Sequence, residues 1–266
     1  MLALRTFEGW LAMPLDASTL NLQRSKIVRE LKEVTTAILA GGLGSRLRPA
    51  VTGCPKALAN IGGRPFLTYL FDQLIAAEAR EVVLCTGYLG DQIRRVFGDS
   101  YDVLHLSYSQ ESSPLGTAGA LRLALPLFNS NPVLIMNGDS YCDANFRDFW
   151  FWHDSRHSNA SLLLTEIFDT ERFGQVQVDR DGKIIDFKEK GSGKSPAWIN
   201  AGIYLVNRRL LEEIPGNRAV SLETEIFPTW IGRGLYGFPS ESRFVDIGTP
   251  EAYAGAESFF STVLQR

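Results

Sequence analysis

Short apolar runs alternate with predicted helical stretches from residue 34 onwards. The apolar runs predict strands at 35–40, 81–86, 103–108 and 132–137. Helices are predicted at 65–79, 91–97 and 117–126, the first from apolar positions at three- and four-residue spacing. The run at 132–137 is nearly continuous, which is typical of a strand covered on both faces. The pattern predicts an α/β fold with a largely parallel, doubly wound sheet.

The pattern changes in the second half of the chain. Short strands with polar breaks are predicted at 161–167, 175–178, 184–188 and 203–206, and we expect them to form antiparallel additions around a substrate pocket. Residues 1–33 carry scattered basic side chains and a weak helical pattern, so they are treated as an N-terminal extension of unknown role. Residues 34–266 form a single domain in this interpretation, with halves at about 34–145 and about 146–260.

Composition narrows the possible partners. The net charge of −3 gives no overall basic field for nucleic acid or an acidic membrane. Cys54, Cys85 and Cys142 are widely spaced and odd in number, which excludes a disulfide framework and fits a reducing cytoplasm. No apolar stretch approaches the roughly 20 residues that span a bilayer. His153 and His157 would share a helix face, but they lack a third ligand, so no zinc site is predicted.

A glycine-rich turn follows the first predicted strand, within Leu39-Ala-Gly-Gly-Leu-Gly-Ser-Arg-Leu-Arg-Pro49. Glycines let backbone amides approach an anion closely, and Arg46 and Lys56 add positive charge beside them, which favours a polyphosphate ligand. A Walker loop is excluded because no Lys-Ser/Thr follows Gly44, and a dinucleotide loop because Leu47 replaces the third glycine. The alternative is an ordinary strand-to-helix turn with surface cations.

This turn, with Pro55-Lys56 behind it, resembles the signature of the sugar-1-phosphate nucleotidyltransferases, and further motifs follow in family order over about residues 34–259. The resemblance implies a Rossmann-like three-layer α/β/α sandwich with a mixed, mostly parallel central sheet. No hexapeptide repeat accompanies it, so the C-terminal β-helix of some relatives is not expected. The resemblance also implies catalytic roles for Arg46, at the β- and γ-phosphates, and for Lys56, near the α-phosphate. It implies that the nucleotide is bound by Leu39, Ala40, Gly41, Gly42, Gly44 and Ser45.

Two aspartates stand at the ends of predicted strands. Asp139 follows the strand at 132–137, and Asp246 follows the short run at 243–245. Ligands of open α/β sheets bind at the carboxyl ends of strands, and Mg²⁺ is held by one or two carboxylates with phosphate oxygens. For either aspartate taken alone, a simple turn cap is the favoured interpretation. Both match the family's metal aspartates, so the resemblance implies Mg²⁺ at Asp139 and Asp246, with Asp139 also catalytic and Asn137 binding the nucleotide.

The segment Glu111-Ser-Ser-Pro-Leu-Gly-Thr-Ala-Gly119 resembles the family's base-binding loop, which assigns nucleotide binding to Glu111, Gly116 and Thr117. Relatives that use thymidine or uridine nucleotides commonly carry glutamine where Glu111 stands. An ionised carboxylate only accepts hydrogen bonds. Guanine offers two adjacent donors, whereas uracil and thymine offer one, so Glu111 favours guanine. The alternative is a solvated loop acid without a role in base binding.

The sugar-phosphate half of the site is assigned by resemblance alone. Phe173-Gly174, Phe187-Lys-Glu-Lys190 and Asn200-Ala-Gly-Ile-Tyr204 occur in the family's order. Without that order, residues 188–190 are an ordinary solvated charge run. Lys190 would bind the sugar phosphate and Glu189 the sugar hydroxyls. The full set of sugar-phosphate residues that the resemblance implies is Gly174, Glu189, Lys190, Asn200 and Gly202.

Within the family, the motifs at 108–119, 137–140, 221–223 and 244–250 look most like those of D-glycero-D-manno-heptose 1-phosphate guanylyltransferases. Mannose-1-phosphate guanylyltransferases are near neighbours. The implied reaction is Mg²⁺-dependent nucleotidyl transfer from GTP to a sugar 1-phosphate, for lipopolysaccharide or S-layer glycan synthesis, and a homo-oligomer is compatible with it. A uridylyl- or thymidylyltransferase, a nucleotide-sugar sensor without turnover and a Rossmann oxidoreductase are the alternatives.

Overall fold

The computed structural model describes residues 31–44, 46–47, 51, 53–168, 173–188, 196–216 and 218–263, so most of the predicted N-terminal extension lies outside it. The strands are β1 Thr35–Leu39, β2 Asn60–Ile61, β3 Arg64–Pro65, β4 Glu81–Thr86, β5 Ser100–Tyr101, β6 Leu104–Gln110, β7 Val133–Asn137, β8 Ser140–Cys142, β9 Ala160–Ile167, β10 Gln175–Val178, β11 Ile184–Lys188, β12 Ala197–Val206, β13 Leu235–Ser240 and β14 Phe244–Asp246. The α-helices are α1 Phe66–Ala76, α2 Gly90–Phe97, α3 Gly116–Ala124, α4 Phe146–Ser155, α5 Arg208–Glu212, α6 Phe227–Trp230 and α7 Pro250–Val263. Short 3-10 helices lie at Lys56–Leu58 and Leu125–Leu127, and a π-helix at Leu222–Ile226.

Four parallel strands form the centre of the sheet. β1 pairs with β4 on one side and β7 on the other, and β4 pairs with β6. The full order is β11-β10-β12-β7-β1-β4-β6-β5, with β9 beside β12 and β13 beside β9. The register sets Leu39 next to both Cys85 and Asn137. The segments that follow β1, β4 and β7 therefore emerge together at one edge of the sheet, where ligands of open α/β sheets bind.

Antiparallel strands extend the sheet beyond β7, as the sequence predicts for the second half. β12 pairs antiparallel with β7, β9 and β10, and β10 with β11. Two details differ from the prediction. β12 begins earlier, at Ala197, and its register shifts between Asn200 and Tyr204. β13, which was not predicted because Gly237 and Pro239 interrupt its pattern, pairs parallel with β9.

Helices cover both faces of the sheet. Ile38 belongs to a buried cluster with residues of α1, α4 and α7, whereas its neighbour Ala37 belongs to a second cluster with residues of α3, α5 and α6. This alternation confirms the three-layer α/β/α sandwich. After β14 the described chain continues as the helix α7, not as a β-helix. Within the described residues, no helix combines the length and apolar character needed to cross a membrane.

Candidate active site

A cavity of about 400 Å³ opens where the central strands end. Its wall contains all the described residues that were predicted to bind the nucleotide: Leu39, Ala40, Gly41, Gly42, Gly44, Glu111, Gly116, Thr117 and Asn137. The predicted catalytic residues Arg46, Lys56 and Asp139 also line it. Ser45 lies outside the described residues. The fold thus gathers, around one space, groups that are widely separated in the sequence.

The glycine-rich turn, here residues 40–47, is held to its neighbours by backbone hydrogen bonds. The Ala40 amide donates to the Cys85 carbonyl at 2.8 Å, and the Gly138 amide donates to the Leu39 carbonyl at 2.9 Å. A Cβ atom at Gly138 would lie 2.7 Å from that Leu39 oxygen, so a side chain there would force β7 away from β1. Glycine at this position therefore permits Asp139 to lie beside the turn.

Lys56 and Asp139 are in direct contact in the cavity wall. The Nζ atom of Lys56 lies 2.7 Å from Oδ2 of Asp139. The lysine side chain is 11% exposed and the aspartate side chain 41% exposed. The ammonium group is thus largely withdrawn from water, whereas the carboxylate stays open to a ligand. Arg46, on the same wall, is exposed.

The pairing of β8 with β14 brings Asp246 close to Asp139. Asp246 lies opposite Ser140, and the Ile247 amide donates to the Asp139 carbonyl at 3.0 Å. The Gly248 amide donates to Oδ1 of Asp246 at 2.5 Å. Carboxylate oxygens from two residues are a donor set that fits Mg²⁺, which takes its other ligands from phosphate and water. No larger cluster of metal-ligating side chains exists among the described residues.

Glu111 follows β6 and packs against the glycine-rich turn. Its Oε2 atom accepts a hydrogen bond from the Leu115 amide at 3.0 Å. Its Oε1 atom lies against Gly41 and Gly87, because Cβ atoms built there would lie 3.2 and 2.7 Å from it. Burial raises the pKa of Glu111, and the Leu115 hydrogen bond opposes this shift. One carboxylate oxygen is therefore already engaged by the loop, which leaves fewer acceptor positions for a base than the sequence suggests.

The loop at 111–119 rests on a distant part of the chain. Gly116 has φ +71°, and a Cβ atom there would lie 2.5 Å from the Val220 carbonyl oxygen, so the contact requires glycine. The Thr117 hydroxyl hydrogen-bonds with the Leu222 amide and the Glu223 carboxylate. The hydroxyl is thus committed to this segment, and Thr117 is left with its backbone and methyl group to meet a nucleotide.

Among the described residues, the predicted sugar-phosphate residues Gly174, Asn200 and Gly202 do not line the cavity. Gly174 directly precedes β10, and its neighbour is the Lys188 carbonyl on β11. Asn200 donates from Nδ2 to the Tyr204 hydroxyl and accepts at Oδ1 from the Gly202 amide, both at 2.9 Å. Its amide therefore supports the irregular part of β12. Glu189 and Lys190 lie outside the described residues.

Two site features were not found from the sequence. Cys85 lines the cavity, and burial raises the pKa of its thiol to about 12, which keeps it neutral and unreactive. Its position near the end of a predicted strand could have indicated that it lies at the ligand-binding edge of the sheet. Tyr204 is fully buried; its hydroxyl accepts a hydrogen bond from Nδ2 of Asn200 at 2.9 Å and lies beside Asn137, so β12 contacts β7 there. This contact depends on strand register and carries no local sequence signal.

A glycine-rich turn, a lysine and two aspartates meet at one end of the α/β sandwich. This arrangement is typical of α/β enzymes that act on phosphates. The comparison with protein families makes the class particular. Residues 35–262 match the nucleotidyl transferase family, and the chain belongs to this family. The protein is accordingly a nucleotidyltransferase.

Named relatives extend over most of the chain. It is 37% identical over 221 residues to D-glycero-alpha-D-manno-heptose 1-phosphate guanylyltransferase of Aneurinibacillus thermoaerophilus. This match covers 83% of this chain and 95% of that protein. It is 33% identical over 225 residues to mannose-1-phosphate guanylyltransferase of Mycobacterium tuberculosis. This match covers 83% of this chain but 63% of that protein. The crystal structure of HddC from Yersinia pseudotuberculosis superposes with a TM-score of 0.76 and 30% identity, over 85% of this chain and 99% of that one. HddC complexed with GMP-PN superposes with a TM-score of 0.75, at 28% identity over the same shares of the two chains.

Proposed function

We propose that the protein transfers the guanylyl group of GTP to a sugar 1-phosphate, with D-glycero-D-manno-heptose 1-phosphate as the preferred acceptor. The observation that carries the proposal is the contact between Lys56 and Asp139 in a cavity lined by the glycine-rich turn. A cation for the α-phosphate and a carboxylate for a metal ion stand side by side there. Backbone amides of the turn would bind the remaining phosphates.

The proposed reaction is an in-line displacement at the α-phosphorus of GTP. An oxygen of the sugar phosphate attacks, a new P–O bond forms, and the bond to the bridging oxygen of pyrophosphate breaks. That oxygen keeps the electron pair and leaves with pyrophosphate. No covalent intermediate with the enzyme is required, so the protein supplies position and charge. Arg46 would stabilise the β- and γ-phosphates and Lys56 the α-phosphate, since both line the cavity.

Mg²⁺ is the proposed cofactor. Asp139 and Asp246 would hold it through their carboxylate oxygens, which suit this ion. When bound, the ion would neutralise charge on the reacting phosphate oxygens. Asp139 would then serve the ion and Lys56 together, because its Oδ2 atom already contacts the lysine.

The choice of GTP and of the sugar rests on two kinds of support. The first is structural: the Glu111 carboxylate, a hydrogen-bond acceptor, lines the cavity. The second comes from the comparisons: both named relatives are guanylyltransferases, and HddC was solved with GMP-PN. The heptose is preferred because that relative has the higher identity and matches over 95% of its own length. Mannose 1-phosphate is the second candidate acceptor. The product would supply cytoplasmic synthesis of a lipopolysaccharide or S-layer glycan.

Pyrophosphate release tests the proposal directly. The purified protein is incubated with Mg²⁺, with GTP, UTP, dTTP, ATP or CTP, and with a panel of hexose and heptose 1-phosphates. Release with GTP and a manno-configured heptose phosphate is expected. Release with a different pair would keep the reaction class and reject the base or the sugar. Binding of a GDP-sugar without release from any pair would instead favour a non-catalytic sensor.

A further inference from the structure

The segment from Val220 to Glu223 forms a backbone contact with the loop that carries Glu111. The Val220 carbonyl accepts from the Ala118 amide at 3.0 Å and from the Gly119 amide at 3.4 Å. The Val220 amide donates to the Leu115 carbonyl at 2.8 Å. A segment about a hundred residues away in the chain therefore holds both ends of the turn that starts α3.

Side chains add a second set of contacts centred on Glu223. Its Oε2 atom lies 2.9 Å from the Thr117 hydroxyl and 3.0 Å from the Ser221 hydroxyl. The Leu222 amide donates to the Thr117 hydroxyl at 2.8 Å. An ionised carboxylate can only accept, so both hydroxyls donate to Glu223. The Thr117 hydroxyl thus gives its one proton to Glu223 and uses a lone pair for Leu222.

The local backbone explains how Glu223 reaches the loop. Residues Leu222–Ile226 form a π-helix, and the Ser221 hydroxyl caps it by accepting from the Thr224 amide. A π-turn widens the helix and changes the direction of its side chains, and such turns are frequent at functional sites. Here the first residues of the turn face Thr117, which lines the cavity.

We infer that Glu223 is a positioning residue for the nucleotide, a role that rests on the proposed function. It fixes the Thr117 hydroxyl and thereby the start of α3, so that the 111–119 loop is ordered before the nucleotide enters. Glu223 does not line the cavity, whereas its hydrogen-bond partner Thr117 does, so it acts through Thr117. Loss of Glu223 would leave the loop to be ordered by the nucleotide, and binding would carry that entropic cost.

Direct measurement of nucleotide binding and steady-state kinetics tests this role. The variants are E223A, the near-isosteric E223Q and the control E213Q, whose parent carboxylate pairs with Arg233 on the surface. Loss of hydrogen bonds to a charged group predicts about tenfold weaker GTP binding and a matching rise in KM for GTP with E223A. The kcat at saturating GTP and the KM for the sugar phosphate stay near wild type. E223Q, which keeps an acceptor oxygen, retains most of the affinity, and E213Q is unchanged.

Two results would overturn the inference. The first is E223A that binds GTP as tightly as wild type, whether or not its melting temperature falls. The second is an equal loss of kcat and of affinity for both substrates, which indicates general damage to the fold. Binding is measured with whichever nucleotide the wild type turns over, so a wrong base assignment does not affect the test. Wild type that binds no nucleoside triphosphate would refute the proposed function as well.

Discussion

Lys56 and Asp139 form an ion pair whose two members are predicted to bind different ligands, the α-phosphate and a metal ion. Their side-chain atoms are 2.7 Å apart, with the lysine side chain 11% exposed. Each charge is therefore balanced before any substrate arrives, and the buried ammonium is not left without a partner. A nucleotide and its cation would bring the opposite charges that replace this pairing.

The ion pair predicts unequal effects of removing its two members. Lys56→Met removes the cation and leaves a carboxylate that water can solvate, so the free energy of unfolding should change little. Asp139→Asn leaves a mostly buried ammonium without its carboxylate, which should lower that free energy by about 1–3 kcal/mol. Both changes should reduce kcat by at least about a hundredfold, because each removes charge from the reacting phosphates.

Pyrophosphate release and urea unfolding, measured on the same preparations, check these expectations. Lys56→Arg serves as the control that keeps the positive charge. Near-normal turnover in Lys56→Met or Asp139→Asn would remove that residue from the mechanism.

Glu111→Gln tests how the base is read. Glutamine keeps a carbonyl oxygen that can accept from the Leu115 amide, so the loop should stay intact. It replaces the second acceptor by a donor, which opposes the guanine N–H groups. We expect kcat/KM for GTP to fall by about tenfold or more relative to UTP and dTTP. An unchanged ratio between the nucleotides would show that Glu111 does not contact the base.

The sequence was most informative where local pattern decides structure. β4, β10 and β11 were predicted with the bounds that the structure shows, because each contains β-branched residues and neither glycine nor proline interrupts it. The start of β12 was missed because Asn200 and Gly202 interrupt its pattern. The prediction that His153 and His157 share a helix face was wrong, since α4 ends at Ser155 and His157 has φ +48°. No glycine or proline in the sequence marks that helix end.

Long-range contacts within the site could not be predicted from local sequence pattern. The glycine-rich turn and the two aspartates were recognised from short motifs. The turn and Asp139 lie at one edge of the main sheet, and the pairing of β14 with β8 places Asp246 near them. The hydrogen bond between Thr117 and Glu223 joins residues 106 positions apart, and the contact of Tyr204 with Asn137 depends on the β7–β12 pairing. Such contacts require the folded register, which a single sequence does not specify.

Gly138→Ala tests the close approach of β7 to β1. The added Cβ atom would lie 2.7 Å from the Leu39 carbonyl oxygen, and the backbone cannot yield without disturbing both strands. We expect the free energy of unfolding to fall by about 1–3 kcal/mol. Gly255→Ala is the matched control, because it meets nothing within 4 Å and lies in α7. It should be neutral or slightly stabilising. Equal urea midpoints for the two variants would refute the packing argument.

We expect the free energy of unfolding to fall in mild acid because His153 is buried. Burial is the sole cause that lowers its pKa, to about 4, whereas the unfolded chain has a histidine pKa of about 6.5. Between these values the unfolded state binds a proton that the folded state does not, so stability falls as pH falls. The loss from this residue should reach about 2 kcal/mol between pH 7.5 and 5. Urea unfolding of His153→Gln at both pH values should show a smaller difference, and an identical difference would contradict the assignment.

One competition experiment tests most directly whether the protein is a guanylyltransferase that acts on a heptose phosphate. The protein receives D-glycero-D-manno-heptose 1-phosphate, Mg²⁺ and an equimolar mixture of GTP, UTP, dTTP, ATP and CTP, and mass spectrometry identifies the nucleotide sugar that forms. We expect GDP-heptose as the main product, together with an equal amount of pyrophosphate. A main product with another base, or no nucleotide sugar from any of the five, would contradict it.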